Sequence, residues 1–227
     1  MRLIHRFSKA IQVFFCIVTA YPLFAQIPTT NLSLWLRADA GVTTTAGNSV
    51  SVWADQSPNA TALSRFGTPV LIPNTINGMP VVRFNGFDSY FTTSNAQLTS
   101  PTRLTFFAVC RFANTNAADV FYSASSYGFR KEAGVNAAFR FYINNTINSI
   151  TYPSTISSNN IYVGRYDLTS ITGQVNSTLT SNLAYSTAIN FNAPFYIGVG
   201  FNYLNGDIAE LLIYNDALSP TQINQVY

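Results

Sequence analysis

From Leu32 to Tyr214 the chain is cut into short apolar runs by closely spaced Asn, Gly, Ser, Thr and Pro residues, and none of the runs is long enough for an ordinary helix. The runs are Leu32–Leu36, Val50–Trp53, Pro80–Phe84, Leu104–Phe112, Val120–Ser123, Ala138–Ile143, Ile161–Tyr166, Phe195–Phe201 and Ile208–Tyr214. They are of strand length and rich in Phe, Tyr, Val and Ile, whose flat or branched side chains suit a pleated surface. Leu104–Phe112 is apolar on both faces, which predicts a central strand buried between layers. Asn-Gly pairs at 77–78, 85–86 and 205–206 tolerate positive φ, and the last separates two apolar runs and reads as a hairpin. One helix start stands out: Ser219-Pro220-Thr221-Gln222 supplies an N-cap serine, a proline at the first helical position and a capping-box glutamine. Ile223 and Val226 then begin an apolar face, and the sequence stops at Tyr227, which reads as one piece of a longer protein. The expected fold is therefore all-β, a two-sheet antiparallel sandwich or jelly roll with a short C-terminal helix.

The N-terminus has a different character. Arg2, Arg6 and Lys9 form a basic region, Ala10 to Phe24 carries no charge, and Ala25 places a small residue before Gln26. This is the pattern of a cleavable signal peptide, because the apolar stretch falls short of the ~20 residues that span a bilayer. A retained anchor is the alternative. Lipidation at Cys16 lacks the small residues it would need, since Val13-Phe14-Phe15 precede it. Cleavage after Ala25 leaves a domain over residues 26–227, exported to the outside or surface of a bacterial cell. It removes three of the 12 basic residues, leaving nine against nine acidic, so the formal charge of +3 falls to zero. Nothing then attracts nucleic acid or an anionic lipid surface, and no membrane insertion follows cleavage. His5 and Cys16 leave with the signal, so the domain keeps no histidine and one thiol, Cys110. With no internal disulfide, burial of apolar surface must hold it together.

Three segments together resemble a known family. They are Leu34-Trp35-Leu36-Arg37-Ala38-Asp39 followed by Val52-Trp53-Ala54-Asp55-Gln56-Ser57-Pro58-Asn59-Ala60; Pro80-Val81-Val82-Arg83-Phe84-Asn85-Gly86; and Phe195-Tyr196-Ile197-Gly198-Val199-Gly200 with Gly206-Asp207-Ile208-Ala209-Glu210-Leu211-Leu212-Ile213-Tyr214-Asn215 and Ala217-Leu218-Ser219. Their order and spacing resemble the concanavalin A-like, laminin-G-like (LamG) jelly-roll domains of secreted bacterial proteins. The resemblance implies two curved sheets face to face, with binding at loops or on a concave face. That fold hosts lectins, glycoside hydrolases, adhesion modules and calcium-dependent binders, so the site has to be argued separately.

Without histidine, a Ser-His-Asp or Cys-His device and a histidine-ligated metal site are excluded from the domain. Cys110 lies inside an apolar run on one face with Phe106, Ala108 and Phe112, the setting of a packed, inert thiol. Glycoside hydrolysis needs only two carboxyl groups, yet the Glu-x-Asp-x-x-Glu strand motif of the hydrolases that the resemblance brings in has no counterpart. The domain has two glutamates, Glu132 and Glu210, far apart in sequence. Strand alternation places Glu210 with Ile208, Leu212 and Tyr214, as a structural carboxylate paired with Arg37 or Arg83. Calcium is the one cofactor left open: Asp55 with Asn59, Asp88 beside Gly86, and Asp207 beside Asn205 sit in loop-like contexts, although the same residues are ordinary turn formers. Tyr127, Tyr152 and Tyr203 lie near turns and offer flat rings to sugars, while Trp35 and Trp53 belong to the core. The reading that follows is a non-catalytic module binding glycans or cell-surface polymers, or acting in adhesion. A laminarinase-like hydrolase and a structural spacer domain are the alternatives.

Overall fold

The computed structural model describes residues 27–99, 101–123, 126–134, 139–152, 157–189 and 194–227. The expected signal segment and Ala138 lie outside the described residues. In chain order the strands are β1 (Leu32–Arg37), β2 (Val42–Thr44), β3 (Val50–Trp53), β4 (Ser64–Phe66), β5 (Val70–Ile76), β6 (Met79–Asn85), β7 (Tyr90–Thr93), β8 (Leu104–Phe112), β9 (Ala118–Ser123), β10 (Tyr127–Lys131), β11 (Phe139–Ile143), β12 (Asn145–Tyr152), β13 (Asn160–Tyr166), β14 (Ser170–Val175), β15 (Thr178–Ala184), β16 (Phe195–Ile197) and β17 (Asn205–Tyr214). Two short helices accompany them, α1 (Ala96–Thr99) and α2 (Pro220–Val226).

The strands form two antiparallel sheets. The first runs β15-β14-β13-β8-β17-β6-β5 with β1 beside β17, and the second runs β12-β11-β10-β9-β16-β7-β4. The hairpin β2–β3 stands apart. Phe84, Phe106 and Phe112 from the first sheet meet Phe91, Phe121, Phe129 and Phe141 from the second in one apolar core. The Phe106 ring centre lies 4.9 Å from Phe121 and 5.0 Å from Phe141. Burying each such ring contributes roughly 1.5–3 kcal/mol. At this pinch point only glycine fits at position 164, where a β-carbon would stand 2.2 Å from the Phe106 ring. As its two apolar faces require, β8 is central, between β13 and β17. Cys110 is fully buried among these residues, and burial pushes its thiol well above the ordinary range.

One side of β17 pairs with β8; the other pairs first with β6 and then with β1. A bulge between Ile208 and Glu210 accompanies the change of partner. It corrects the expected alternation: Ile208 packs in the inner core, whereas Leu212 and Tyr214 join an outer cluster with Phe107 and Val163. Leu218, just before the N-cap of α2, and Ile223 within it cover that cluster. The capping box is formed, with Ser219 Oγ accepting from the Gln222 amide at 3.3 Å and Gln222 Oε1 accepting from the Ser219 amide at 2.9 Å.

Two sequence expectations fail around β16. The strand expected to reach Phe201 ends at Ile197 because Gly198 takes a positive φ of 84°. The hairpin expected at Asn205-Gly206 is absent, since both residues lie inside β17. Gly206 is needed for close approach instead: a β-carbon there would sit 2.2 Å from the Arg111 carbonyl oxygen on β8. The reversal falls earlier, over residues 198–204, and it builds the site. The Asn77-Gly78 pair does make a tight turn, between β5 and β6, with φ of 50° and 78°.

Candidate functional site

The turn over residues 198–204 is closed by two backbone bonds, Gly198 amide to Val120 carbonyl (2.8 Å) and Leu204 amide to Gly198 carbonyl (2.9 Å). Leu204 is buried and anchors the turn, while Phe201 and Tyr203 point outward, 56% and 39% exposed. Tyr203 borders two depressions and Phe201 one of them. Tyr90, Tyr122, Tyr196, Val199, Gly200 and Tyr203 line one of about 280 Å³. The other, about 360 Å³, is amide-rich, with Asn114, Asn116, Asn202 and Asn205 beside Phe201 and Tyr203.

The tyrosine side continues across the outer face of the second sheet. Phe66 stacks on Tyr90 at 4.6 Å, Tyr90 lies 6.1 Å from Tyr196, Tyr196 lies 6.2 Å from Tyr122, and Tyr122 meets the edge of Phe201 at 5.1 Å. The register explains the row, since Phe66 pairs with Tyr90 and Tyr196 with Tyr122 across neighbouring strands. Sequence reasoning missed these rings, although a signal exists. Tyr90-Phe91, Phe121-Tyr122 and Phe195-Tyr196 are three dipeptides in which strand alternation sends the phenylalanine inward and the tyrosine outward.

Beneath the turn lies Asp119, whose side chain is fully buried. Its Oδ2 accepts the Asn202 amide at 2.9 Å. Burial pushes its carboxyl up to about 6, and the charge of Arg130, 3.9 Å away, opposes the shift. The Arg130 guanidinium sits under the Phe201 ring, 5.1 Å from its centre. Glu132 lies 3.5 Å from both Arg130 and Arg140. Asp119 and Glu132 thus converge on one arginine, and neither lines the depressions beside Phe201.

Of the residues expected to matter, Tyr203 and Asn205 both line the site. Tyr127 and Tyr152 do not reach the surface, being 0% and 3% exposed. Each is an inward position of its strand, with its hydroxyl on a backbone carbonyl, Leu98 for Tyr127 and Val163 for Tyr152. Their expected exposure is thereby corrected. Trp53 is core at 1% exposed, but Trp35 is only partly buried and faces outward.

Of the residues named for calcium, Asp55, Asn59, Asp88 and Asp207 each hold protein partners. Asp55 accepts the Trp35 amide, the Ser57 amide and hydroxyl, and the Thr61 amide, each at 2.8 Å. Asn59 donates to the Leu32 carbonyl at 3.0 Å, so this pair ties the following loop to β1. Asp88 Oδ1 accepts from Asn85 at 2.7 Å. Asp207 is buried between Arg83 and Arg111, which take both its oxygens. Among the described residues no group of three acidic, cysteine or histidine side chains converges. A calcium ion with its six to eight oxygen ligands would have to compete with these bonds. A melt with a chelator is expected to overlay one with added calcium; a lower midpoint with the chelator would show that the ion binds.

Glu210, expected to pair with Arg37 or Arg83, accepts instead from the Trp35 indole N–H at 2.6 Å. Arg83 belongs to Asp207, and Arg37 binds Asp39 at 2.7 Å while lying over the Trp35 ring at 5.3 Å. Burial raises the Glu210 carboxyl above its ordinary value, against the indole bond. It borders a groove of about 770 Å³ on the outer face of the first sheet. Glu210→Gln keeps an acceptor for the indole and removes a desolvated charge. Its melting temperature should match or slightly exceed that of the wild type, whereas Glu210→Ala, leaving the indole unpaired, should cost about 1–3 kcal/mol.

Residues 84–224, more than half of the chain, match the family model described as the concanavalin A-like lectin/glucanases superfamily. No curated protein matches by sequence. Among solved structures, the binding domain of botulinum neurotoxin DC superposes with a TM-score of 0.64 at 12% identity, covering 88% of this chain and 51% of that one. The binding domain of paraclostridial mosquitocidal protein 1 gives 0.64 at 17% identity, with coverages of 87% and 52%. The chain therefore spans about half the length of those toxin domains. Domain 4 of AbnA, an extracellular arabinanase from Geobacillus stearothermophilus, seen with arabinotriose, gives 0.64 at 15% identity and is itself 98% covered, against 86% of this chain. At these identities the likeness is one of fold.

Proposed function

The chain belongs to the concanavalin A-like lectin/glucanases superfamily, and from that premise we propose that it is a non-catalytic carbohydrate-binding module of an exported protein, taking glycans or another surface polymer at the turn that carries Phe201 and Tyr203. The observation behind this reading is the exposed aromatic pair, of which Tyr203 borders both a tyrosine-lined and an amide-lined depression. Sugars present flat C–H faces to aromatic rings and hydroxyls to amides and phenols, and the turn supplies both chemistries side by side. The tyrosine row behind it gives an extended ligand further surface. AbnA domain 4 in complex with arabinotriose and a botulinum neurotoxin serotype D domain in complex with N-acetylneuraminic acid support glycan chemistry without naming this ligand. Export rests on the sequence pattern of residues 1–25.

The test is a glycan array, run with and without calcium so that a role for the ion is measured directly. Wild type should bind at least one neutral or acidic oligosaccharide. Tyr203→Ala should weaken that binding about five- to tenfold, the worth of one aromatic contact, with the melting temperature unchanged. A silent array overturns the module reading and favours a spacer domain. The hydrolase alternative has two carboxyl pairs to draw on, Asp119 with Glu132, and Asp39 with Glu210 in the groove on the first sheet; incubation with laminarin is expected to release no new reducing ends.

A further inference from the structure

We infer that Asp119 Oδ1 and Arg130 Nε, with Tyr142 Oη beside them, form a hydroxyl subsite under the Gly200–Asn202 segment that takes one alcohol group from the terminal residue of a bound saccharide. The inference rests on the carbohydrate-binding reading and extends it to residues that line neither depression. All three atoms are buried, and none has a hydrogen-bond partner among the described residues. Buried polar atoms nearly always have partners, so three orphans from adjoining strands mark a missing one. Asp119 and Arg130 side chains are 0% and 9% exposed. Tyr142 on β11 pairs with Gly128 on β10, two residues from Arg130.

The spacing selects the ligand chemistry. Oδ1 accepts and Nε donates, yet at 3.9 Å they stand too far apart to bond each other. One oxygen about 2.8 Å from each would satisfy both. That oxygen must donate to the carboxylate and accept from the guanidinium. An alcohol does both, whereas an ammonium cannot accept and an ionised carboxylate cannot donate. Two glycines pack directly against these groups, so a hydroxyl enters only if the Gly200–Asn202 segment lifts. A β-carbon at Gly200 would lie 2.9 Å from Asp119 Cγ, and one at Gly128 would lie 2.6 Å from Tyr142 Oη. The cover over Arg130 is the half-exposed Phe201 ring, whose other aromatic contact is an edge against Tyr122. The titratable and charged groups around Asp119 are Tyr122, Arg130, Glu132 and Tyr142, with Arg140 beyond Glu132 and the Asn202 amide from the turn.

The experiment uses, as probe, the neutral oligosaccharide that wild type binds most tightly on the array, titrated by calorimetry between pH 5 and pH 7. Asp119→Asn should weaken binding about tenfold at pH 7, the value of a hydrogen bond to a charged group. Wild-type affinity should fall as the pH drops and Asp119 takes up a proton, while the Asp119→Asn profile stays flat. Tyr142→Phe deletes only an unpartnered oxygen, so it should fold normally and lose about threefold in affinity; its result decides the matter if Asp119→Asn does not fold. If both variants bind within about twofold of wild type while Tyr203→Ala is weakened, the three atoms hold water alone and the inference falls with the aromatic reading intact. If wild type binds no neutral oligosaccharide, the inference falls as well, and only a wholly silent array takes the aromatic reading down with it.

Discussion

Replacing Asp207 by alanine is expected to destabilise the domain by about 3 kcal/mol, because it strips two arginines of their shared partner. The carboxylate is fully buried at the junction of β6, β8 and β17. Arg83 holds it through Nε at 2.7 Å and Nη2 at 3.1 Å, and Arg111 holds it through Nε at 3.0 Å and a second, shorter bond from Nη2. The Arg83 and Arg111 side chains are 42% and 28% exposed, so water can rescue part of their solvation once the carboxylate is gone. That places the cost below the upper end for a wholly buried pair. For a chain of this size the loss corresponds to a fall in melting temperature of roughly 6–12 °C. Urea midpoints at constant m-value would measure it. Asp207→Asn, which keeps the shape and two bonds, should lie between. A midpoint for Asp207→Ala equal to that of wild type would show that the three strands need no charge to hold their register. The same substitution separates two roles that the sequence left open, since a calcium ligand would lose stability only in calcium, whereas an ion-pair hub loses it in chelator as well.

What could be read in advance follows from how strongly each feature is written in local chemistry. β8 has nine residues apolar on both faces, and a sequence of that kind has few places to go other than the middle of a sheet. The capping box of α2 is equally local, being four residues that satisfy one another. By contrast β12, β14 and β15 are rich in Ser, Thr, Asn and Gln and become strands only because a neighbour offers its edge. The bulge at Ala209 depends on β17 changing partner, which no alternation pattern records, and it reversed the face assigned to Ile208 relative to Glu210. The site was half legible. Tyr203 stood out as a turn aromatic, but Tyr127 and Tyr152 looked equivalent in sequence and differ only in which way their strands face. Asp119 was invisible because Asn202 arrives from far along the chain and Arg130 faces it only through the register of β9 and β10.

Stability is expected to fall as the pH rises from about 4 to about 6, and Asp119 is the reason. Its carboxyl is raised from the ordinary 3.8 to about 6 by burial. Between those values the native state keeps a proton that the unfolded chain has released, so raising the pH favours unfolding. Below the lower value both states are protonated and the group contributes nothing; above the upper one the full penalty applies. A shift of this size corresponds to about 3 kcal/mol, with no screening discount because the side chain is fully buried. Glu210, also raised by burial, acts in the same direction. Asp167 acts oppositely, since hydrogen bonds from Thr169, Arg165 and Ser170 hold its carboxyl below the ordinary range, and it surrenders stability as the pH falls below about 4. Calorimetric melts should therefore peak near pH 4–5 and decline toward pH 7. In Asp119→Asn the amide oxygen still accepts from the Asn202 amide and no charge is buried, so the decline should shrink and the variant should melt above wild type at pH 7. If instead wild type is flat across this window and the variant melts lower at pH 7, Arg130 neutralises Asp119 fully, and the carboxylate is a salt-bridge partner rather than a strained group waiting for a hydroxyl.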